Sequence, residues 1–176
     1  MHYSEFQSTD VLSEYVQTIW ALESENEQDV YPRSLIMPDG IVEIVFHYRQ
    51  PFYFYQNNSR FLQDENVAVS MMKKFIEIES AGSVGFIAVR FYPWGAYHFF
   101  DEPVSNFLDT TIDANVLWGK ASKQIITDLK SANTGDTRFK LVEQFLRGNL
   151  VKFKKNETKT DEALKLIRKT KGTLSI

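Results

Sequence analysis

The sequence predicts an α+β fold, in which a β-rich half up to about residue 109 is followed by a small helical half. Up to residue 100, short runs of alternating apolar and polar residues are separated by turn signals, which is typical of a β-barrel or a sandwich. Beyond residue 109 the apolar residues recur at helical spacing. With 176 residues and 43% hydrophobic content, the chain is long enough for one folded domain and a helical appendage.

The best-defined predicted strand covers residues 41–48 and follows a Pro-Asp-Gly turn at 38–40. Side chains alternate across a strand, so the even-numbered residues form a face that is apolar throughout. The odd-numbered face carries Glu43 and His47. The other predicted strands cover residues 15–22, 34–37, 52–55, 67–72, 75–79 and 86–92.

The predicted strand 86–92 repeats this arrangement. Ile87, Val89 and Phe91 share one face, whereas Arg90 lies on the other, and the strand ends at a Pro93-containing turn. Just before it, the segment AGSVG (81–85) has a superficial likeness to a phosphate-binding loop. It lacks the required lysine and lies between strands, so it predicts a hairpin turn.

Three helices are predicted in the second half. One contains Ala121, Ile125 and Leu129, and the next is an amphipathic helix over residues 137–153. The apolar face of that second helix forms either a dimer surface or a cover for the β-rich half. Residues 155–159 indicate a polar linker, after which Thr160 is expected to cap a helix that stops at Gly172.

The formal net charge of −3 conceals two halves of opposite sign. Residues 1–118 contain 6 Lys+Arg and 17 Asp+Glu, for a net −11, whereas residues 119–176 contain 14 and 6, for a net +8. A basic half is typical of a region that lies near nucleic acid. The same asymmetry also arises when two halves simply attract each other.

Other features of the sequence limit the cellular location and the chemistry that can be expected. The chain has no cysteine, which excludes disulfides, thiolate metal sites and a cysteine nucleophile. It has no recognisable signal peptide and no uncharged stretch of membrane-spanning length. We therefore expect a cytoplasmic protein that does not contact a membrane.

Three motifs follow one another in the order MPDGIVEIVF (37–46), VRFYPWGAYHFF (89–100) and VLWG (116–119). In the order and spacing of these motifs, from about residue 11 to the last residue, the chain resembles the AraC-type (AraC/XylS) bacterial transcription regulators. Trp94 departs from the pattern, which favours a small residue there. The resemblance implies a cupin-like β-barrel whose cavity holds a small effector, and a region that forms homodimers.

The resemblance also implies a division of the chain. Residues 1–109 would be the sensor barrel, 110–154 a helical dimerisation or packing subdomain, and 155–176 a linker and the first helix of an incomplete DNA-binding domain. In the family the next helix begins near a stretch like 174–176, so we expect a truncated regulator that contacts DNA only through a missing C-terminal helix-turn-helix domain. Effector binding would shift the packing of barrel and helices.

The strongest candidate site residues are Glu43 and Arg90, because each is a lone charge in an otherwise apolar strand. Either they pair with each other or with the C-terminal helices, or Arg90 meets an anionic effector in the cavity. In the latter case, stacking and polar contacts come from Trp20, Tyr92, Tyr97 and His98. The alternative for these last four residues is ordinary core packing.

No catalytic constellation is evident. His2, His47 and His98 stand singly, without the His-x-His pair of metal-binding cupins, so we expect no metal, no cofactor and no enzymatic activity. For His47 and His98 we favour hydrogen bonds to backbone or water. Two alternatives stay open. One is a small cupin-like enzyme, such as an isomerase or a metal-dependent oxygenase, and the other is a protein-interaction module that acts through the acidic half.

Overall fold

The computed structural model describes residues 1–57, 59–69 and 71–173, apart from the side chain of residue 107. In this part of the chain there are ten strands and four α-helices. The strands are β1 (His2–Phe6), β2 (Val16–Glu23), β3 (Ser34–Ile36), β4 (Glu43–His47), β5 (Phe52–Gln56), β6 (Ser59–Leu62), β7 (Asn66–Val69), β8 (Ile76–Ser80), β9 (Gly85–Phe91) and β10 (Thr111–Asp113). The helices are α1 (Asn115–Trp118), α2 (Lys120–Ser131), α3 (Gly135–Phe153) and α4 (Lys159–Thr170).

The strands form two antiparallel sheets. The larger has six strands in the order β1-β2-β9-β4-β7-β10, and the smaller has four in the order β3-β8-β5-β6. All seven predicted strands are present, and the α+β class is confirmed. The strands in the described ranges pair into two separate sheets and do not close into a barrel.

The six-stranded sheet packs against the helices through one of its faces. Ile44 and Phe46 of β4 and Val89 of β9 are fully buried there, in one core with Leu129 of α2 and Leu146 of α3. These strand residues belong to the apolar faces that the alternation predicts, and both faces are confirmed. Burying side chains of this size stabilises the fold by about 1.5–3 kcal/mol each.

The opposite face of the same sheet looks toward the smaller sheet. Phe86 and Ala88 of β9 are buried against Phe52 of β5, with Ile78 of β8 partly buried beside them. The molecule therefore has three layers, with the helices on one side of the six-stranded sheet and the four-stranded sheet on the other.

Two turns decide how the strands enter these layers. In the Pro-Asp-Gly turn, Gly40 has a φ of +71°, and Asp39 Oδ1 accepts a hydrogen bond from the Ile41 backbone N–H at 3.1 Å, so the predicted turn is confirmed. The hairpin prediction for 81–85 is wrong. β8 pairs with β3 and β5 whereas β9 pairs with β2 and β4, so this segment crosses from one sheet to the other.

The helices fit their predicted positions, with a different N-cap for α4. The apolar side of α3 is buried in the core against the six-stranded sheet, so this face covers the sheet, as one of the two alternatives held. The N-cap of α4 is Thr158, not Thr160, because Thr158 and Asp161 form a reciprocal capping box. None of the helices in the described ranges is long and apolar enough to cross a membrane.

Candidate functional site

A cavity of about 310 Å³ lies between the two sheets. The six-stranded sheet contributes Trp20, Val45 and Phe86 to its walls, and the four-stranded sheet contributes Phe52 and Ile78. The alternation of β4 and β9 explains this placement, because the residues that do not face the helices must face the smaller sheet. The volume is at the low end of the range for small-molecule sites, about 300–1,000 Å³.

One wall of the cavity carries a polar cluster. Glu43 and Arg90 are directly opposite each other on β4 and β9, and the Arg90 Nε lies 3.2 Å from Glu43 Oε1. Trp20 Nε1 donates a second hydrogen bond to the same oxygen at 2.6 Å. Arg90 Nη2 also lies 3.4 Å from Asp39 Oδ2 in the Pro-Asp-Gly turn. The mutual salt bridge expected for Glu43 and Arg90 is thus present, and Asp39 extends it.

The rest of the cavity wall is largely aromatic. The rings of Trp20 and Phe86 meet edge to face with centroids 4.9 Å apart, and the ring centroids of Phe52 and Phe86 are 5.9 Å apart. His47 lies beside both phenylalanines and is 2% exposed. Its Nδ1 is 3.2 Å from the Glu65 backbone oxygen, which agrees with the expected backbone contact. Burial lowers the pKa of His47 to about 4, so its ring is neutral at pH 7.

Three of the six predicted site residues lie outside this cavity. Trp20, Glu43 and Arg90 are together, but Tyr92, Tyr97 and His98 follow the end of β9 and contact the chain around α4. The turn after β9 carries the chain away from the space between the sheets and toward α4. The structure therefore separates the predicted set into two clusters.

Asp161 is the centre of the second cluster. Its Oδ2 accepts hydrogen bonds from the Tyr97 hydroxyl and from the backbone N–H and hydroxyl of Thr158. Burial alone would raise the pKa of the Asp161 carboxyl, but these hydrogen bonds hold it below its ordinary value. His98 is fully buried, and its Nδ1 accepts a hydrogen bond from the Lys155 backbone N–H at 3.2 Å. Burial lowers the pKa of His98 as well.

Trp94 extends this second cluster. Its indole N–H donates to the Glu14 backbone oxygen at 2.8 Å, and its ring stacks on Tyr92 with centroids 4.9 Å apart. The guanidinium of Arg168 on α4 lies 4.1 Å from the centroid of the Tyr92 ring on the same cluster. The bulky residue that departs from the AraC-type pattern is therefore buried and helps to form the surface on which α4 rests.

Sequence reasoning missed several residues of the cavity, including Tyr3, Tyr31 and Phe52. A signal was available for others. His47 shares the face of β4 that carries Glu43, and Phe86 shares the face of β9 that carries Arg90, so the alternation that selected the two charges also places these rings beside them. Tyr3 and Tyr31 lie in segments with no such pattern.

Among the described side chains, no three or more His, Asp or Glu residues come together in a group that could hold a metal ion.

Residues 4–113 match the model of a protein family described as a domain of unknown function (DUF6597). Apart from the first two residues of β1, the matched segment includes both sheets, and it includes the residues that line the cavity except Tyr3. It ends just before α1. A comparison with curated proteins found no match.

Proposed function

We propose that this chain, which belongs to the DUF6597 family, is the effector-sensing and dimerisation region of an AraC-like transcription regulator. The order and spacing of its three motifs support this proposal. In this proposal the two facing sheets are an open form of a cupin-like barrel, and the protein acts in the bacterial cytoplasm. DNA is bound by a helix-turn-helix domain that follows this region. The expected stretch at 174–176, where that domain would continue, lies outside the described residues.

The observation that carries the proposal is the cavity between the sheets. It has mostly apolar walls with a few convergent polar groups, which is the usual composition of a small-molecule site. The six-stranded sheet is packed against helices on its other face, so a change in the cavity reaches the helical layer through a single sheet.

A short path joins the cavity to α4. Arg90 lies in the cavity wall near the end of β9, and Tyr92, two residues later, contacts Arg168 on α4. In the proposed mechanism an effector that binds one arrangement of β9 better than another also favours one arrangement of α4. The helix that leads toward the DNA-binding domain then changes its presentation.

A reporter experiment tests this proposal. The full chain is fused ahead of a heterologous helix-turn-helix domain that occupies its operator only as a dimer, and expression of an operator-controlled gene is measured in bacteria. We expect stronger operator occupancy than with the DNA-binding domain alone. Small molecules that raise the melting temperature of the purified chain are expected to change the operator occupancy. Occupancy equal to that of the DNA-binding domain alone would contradict dimerisation.

A matched pair of variants assigns the response to the cavity. Val69→Phe fills part of the space between the sheets, whereas Val116→Phe makes the same change at an exposed position. We expect Val69→Phe to remove the response to small molecules and Val116→Phe to keep it. A response that survives Val69→Phe would show that the effector binds elsewhere.

The second candidate function is a small cupin-like enzyme. The observation in its favour is that His47 and Glu43 line the same cavity. A neutral imidazole can act as a general base or a metal ligand. Incubation of the purified chain with Zn²⁺, Mn²⁺ or Fe²⁺, followed by metal analysis of the wild type and of His47→Phe, tests this candidate. Stoichiometric metal that is lost in the variant would favour the enzyme.

A further inference from the structure

The polar end of the cavity has an excess of negative charge. The Arg90 guanidinium lies within salt-bridge distance of two carboxylates, Glu43 inside the cavity and Asp39 at its edge. One positive and two negative groups leave a net charge of −1 on this cluster. An anionic effector would therefore meet a guanidinium that is already neutralised and an additional carboxylate that repels it.

Glu43 retains a free acceptor. The hydrogen bonds from Trp20 and Arg90 both reach Oε1, and no hydrogen-bond donor to Oε2 is found among the described residues. The Glu43 side chain is 17% exposed, so it is shielded from bulk water but open to the cavity that it lines. A shielded carboxylate oxygen of this kind is a strong acceptor for an ammonium N–H, because charge-assisted hydrogen bonds are about twice as strong as neutral ones.

Aromatic rings flank this carboxylate. Tyr3 and Trp20 both line the cavity with ring centroids 5.9 Å apart, and Trp20 is hydrogen-bonded to Glu43 itself. The faces of electron-rich rings attract cations. Trp and Tyr rings beside a carboxylate therefore favour a positively charged group at this end of the cavity.

The other end of the cavity is apolar. Phe52, Ile78 and Phe86 come together there, and the neutral His47 adds no positive charge at pH 7. A volume of about 310 Å³ accommodates a compact hydrocarbon or aromatic body.

We propose that the cavity binds a small amphiphilic amine, with its protonated nitrogen at Glu43, beside the rings of Tyr3 and Trp20, and its apolar body between the two sheets. This inference deepens the proposed function and rests on it only in using the same cavity as the effector site. It takes the place of the anionic effector, which was one of the alternatives for Arg90. Arg90 and Trp20 act as positioning residues that hold Glu43 Oε1.

Three probes with one apolar body and different head groups test the inference. These are 4-phenylbutylamine, 4-phenylbutanol and 4-phenylbutanoate, and their binding to the full chain is measured by calorimetry at pH 7 and low salt. We expect the amine to bind about tenfold or more tightly than the carboxylate, with the alcohol between them. Equal affinities, or a preference for the carboxylate, would overturn the inference.

Two substitutions assign the preference to Glu43. Glu43→Gln keeps an oxygen that accepts from Trp20 but removes the negative charge, and it is expected to weaken amine binding about tenfold while the alcohol changes little. Glu65→Gln removes a surface carboxylate, which pairs with Lys130 outside the cavity, and is expected to leave all three affinities unchanged. An unchanged amine affinity in Glu43→Gln would overturn the role of Glu43. If Glu43→Gln does not fold, the preference of the wild-type chain for the amine over the carboxylate still tests the inference.

The two proposals fail in different experiments. An absence of binding by all three probes at about 1 mM would overturn the amine inference. The reporter experiment would still test the proposal that the chain belongs to a transcription regulator. An amine that binds but leaves the reporter unchanged would contradict the regulator and leave the amine site standing.

Discussion

The cavity cluster and the α4 cluster contain the same kinds of residues but differ in where their partners lie. In the cavity, Trp20 and Arg90 are hydrogen-bonded to one oxygen of Glu43, and Glu43 lines the space between the sheets. Around α4, the polar groups of Tyr97 and His98 are bound to a later part of the same chain. Aromatic and charged residues that cannot be told apart in the sequence therefore line a cavity in one region and attach a helix in the other.

Two tryptophan substitutions give the largest expected difference between the clusters. Trp94 is 6% exposed, stacks on Tyr92 and donates to a backbone oxygen, so Trp94→Ala is expected to lower the free energy of unfolding by about 3–5 kcal/mol. Trp20→Ala opens onto an existing cavity and should cost less. Urea denaturation of both variants gives the measurement, with Trp94→Phe expected to lose about 1 kcal/mol with its N–H donor. An equal loss of unfolding free energy in the two Ala variants would contradict the expected difference between the two clusters.

The next largest expected effect is the pH dependence of the free energy of unfolding, which comes from the two buried histidines. His47 has a pKa of about 4 in the folded chain against 6.5 in the unfolded chain. Between these values the unfolded state binds more protons, so the free energy of unfolding falls as pH falls from 6.5 to 4, by about 3 kcal/mol for this group. Urea denaturation across this range is expected to show a flatter dependence in His47→Phe.

The control for this measurement is His2→Phe, at an exposed position, which should keep the slope of the wild type. A residual slope is expected in His47→Phe, because burial lowers the pKa of His98 in the α4 cluster as well. If the free energy of unfolding of His47→Phe had the same slope against pH as that of the wild type, His47 would not be the group that titrates. The pH dependence would then be assigned to His98 in the α4 cluster.

A local effect is expected at Asp161. Asp161→Ala removes the capping box of α4 and the acceptor for Tyr97, so the local stability of the helix should fall by about 1–2 kcal/mol. Hydrogen exchange of residues 159–170 is expected to accelerate about tenfold, with little change in the strands of the six-stranded sheet. Glu162→Ala removes an exposed carboxylate from the same turn and is the control. Equal acceleration in both variants would assign the effect to charge at the helix terminus.

The sequence predicts most of the larger sheet because its strands have one face that must be buried against helices. The strands that were missed, β1, β6 and β10, lack that signal. β6 is exposed at all four positions, β10 has three residues, and β1 is a half-exposed edge strand, so each is held mainly by backbone pairing with a neighbour. The crossing at 81–85 was missed because a local turn pattern does not say which sheet receives the next strand.

The candidate site was predictable up to the end of β9 and no further. Alternation within β4 and β9 makes Glu43 and Arg90 lone charges in otherwise apolar strands, and the salt bridge between them, one of the expected alternatives, is present. Tyr97 and His98 come after the turn that follows β9, where alternation no longer determines the direction of a side chain. Their partners, Asp161 and Lys155, are about sixty residues away in sequence, at 64 and 57 positions. Only the path of the chain through the helical layer brings them together.

The smallest expected effect concerns the contact between Arg168 and Tyr92. An exposed guanidinium over a partly buried ring contributes about 0.5–1 kcal/mol, so Arg168→Gln should accelerate hydrogen exchange at the C-terminal end of α4 by less than Asp161→Ala does. Lys169→Gln removes the same charge from the neighbouring position and is the control. A double-mutant cycle with Tyr92→Leu isolates the pair, because only a direct contact makes the two effects non-additive. A measurable coupling would place the end of β9 and α4 in one cooperative unit, as transmission from the cavity requires, whereas additive effects would leave α4 attached only through Asp161 and His98.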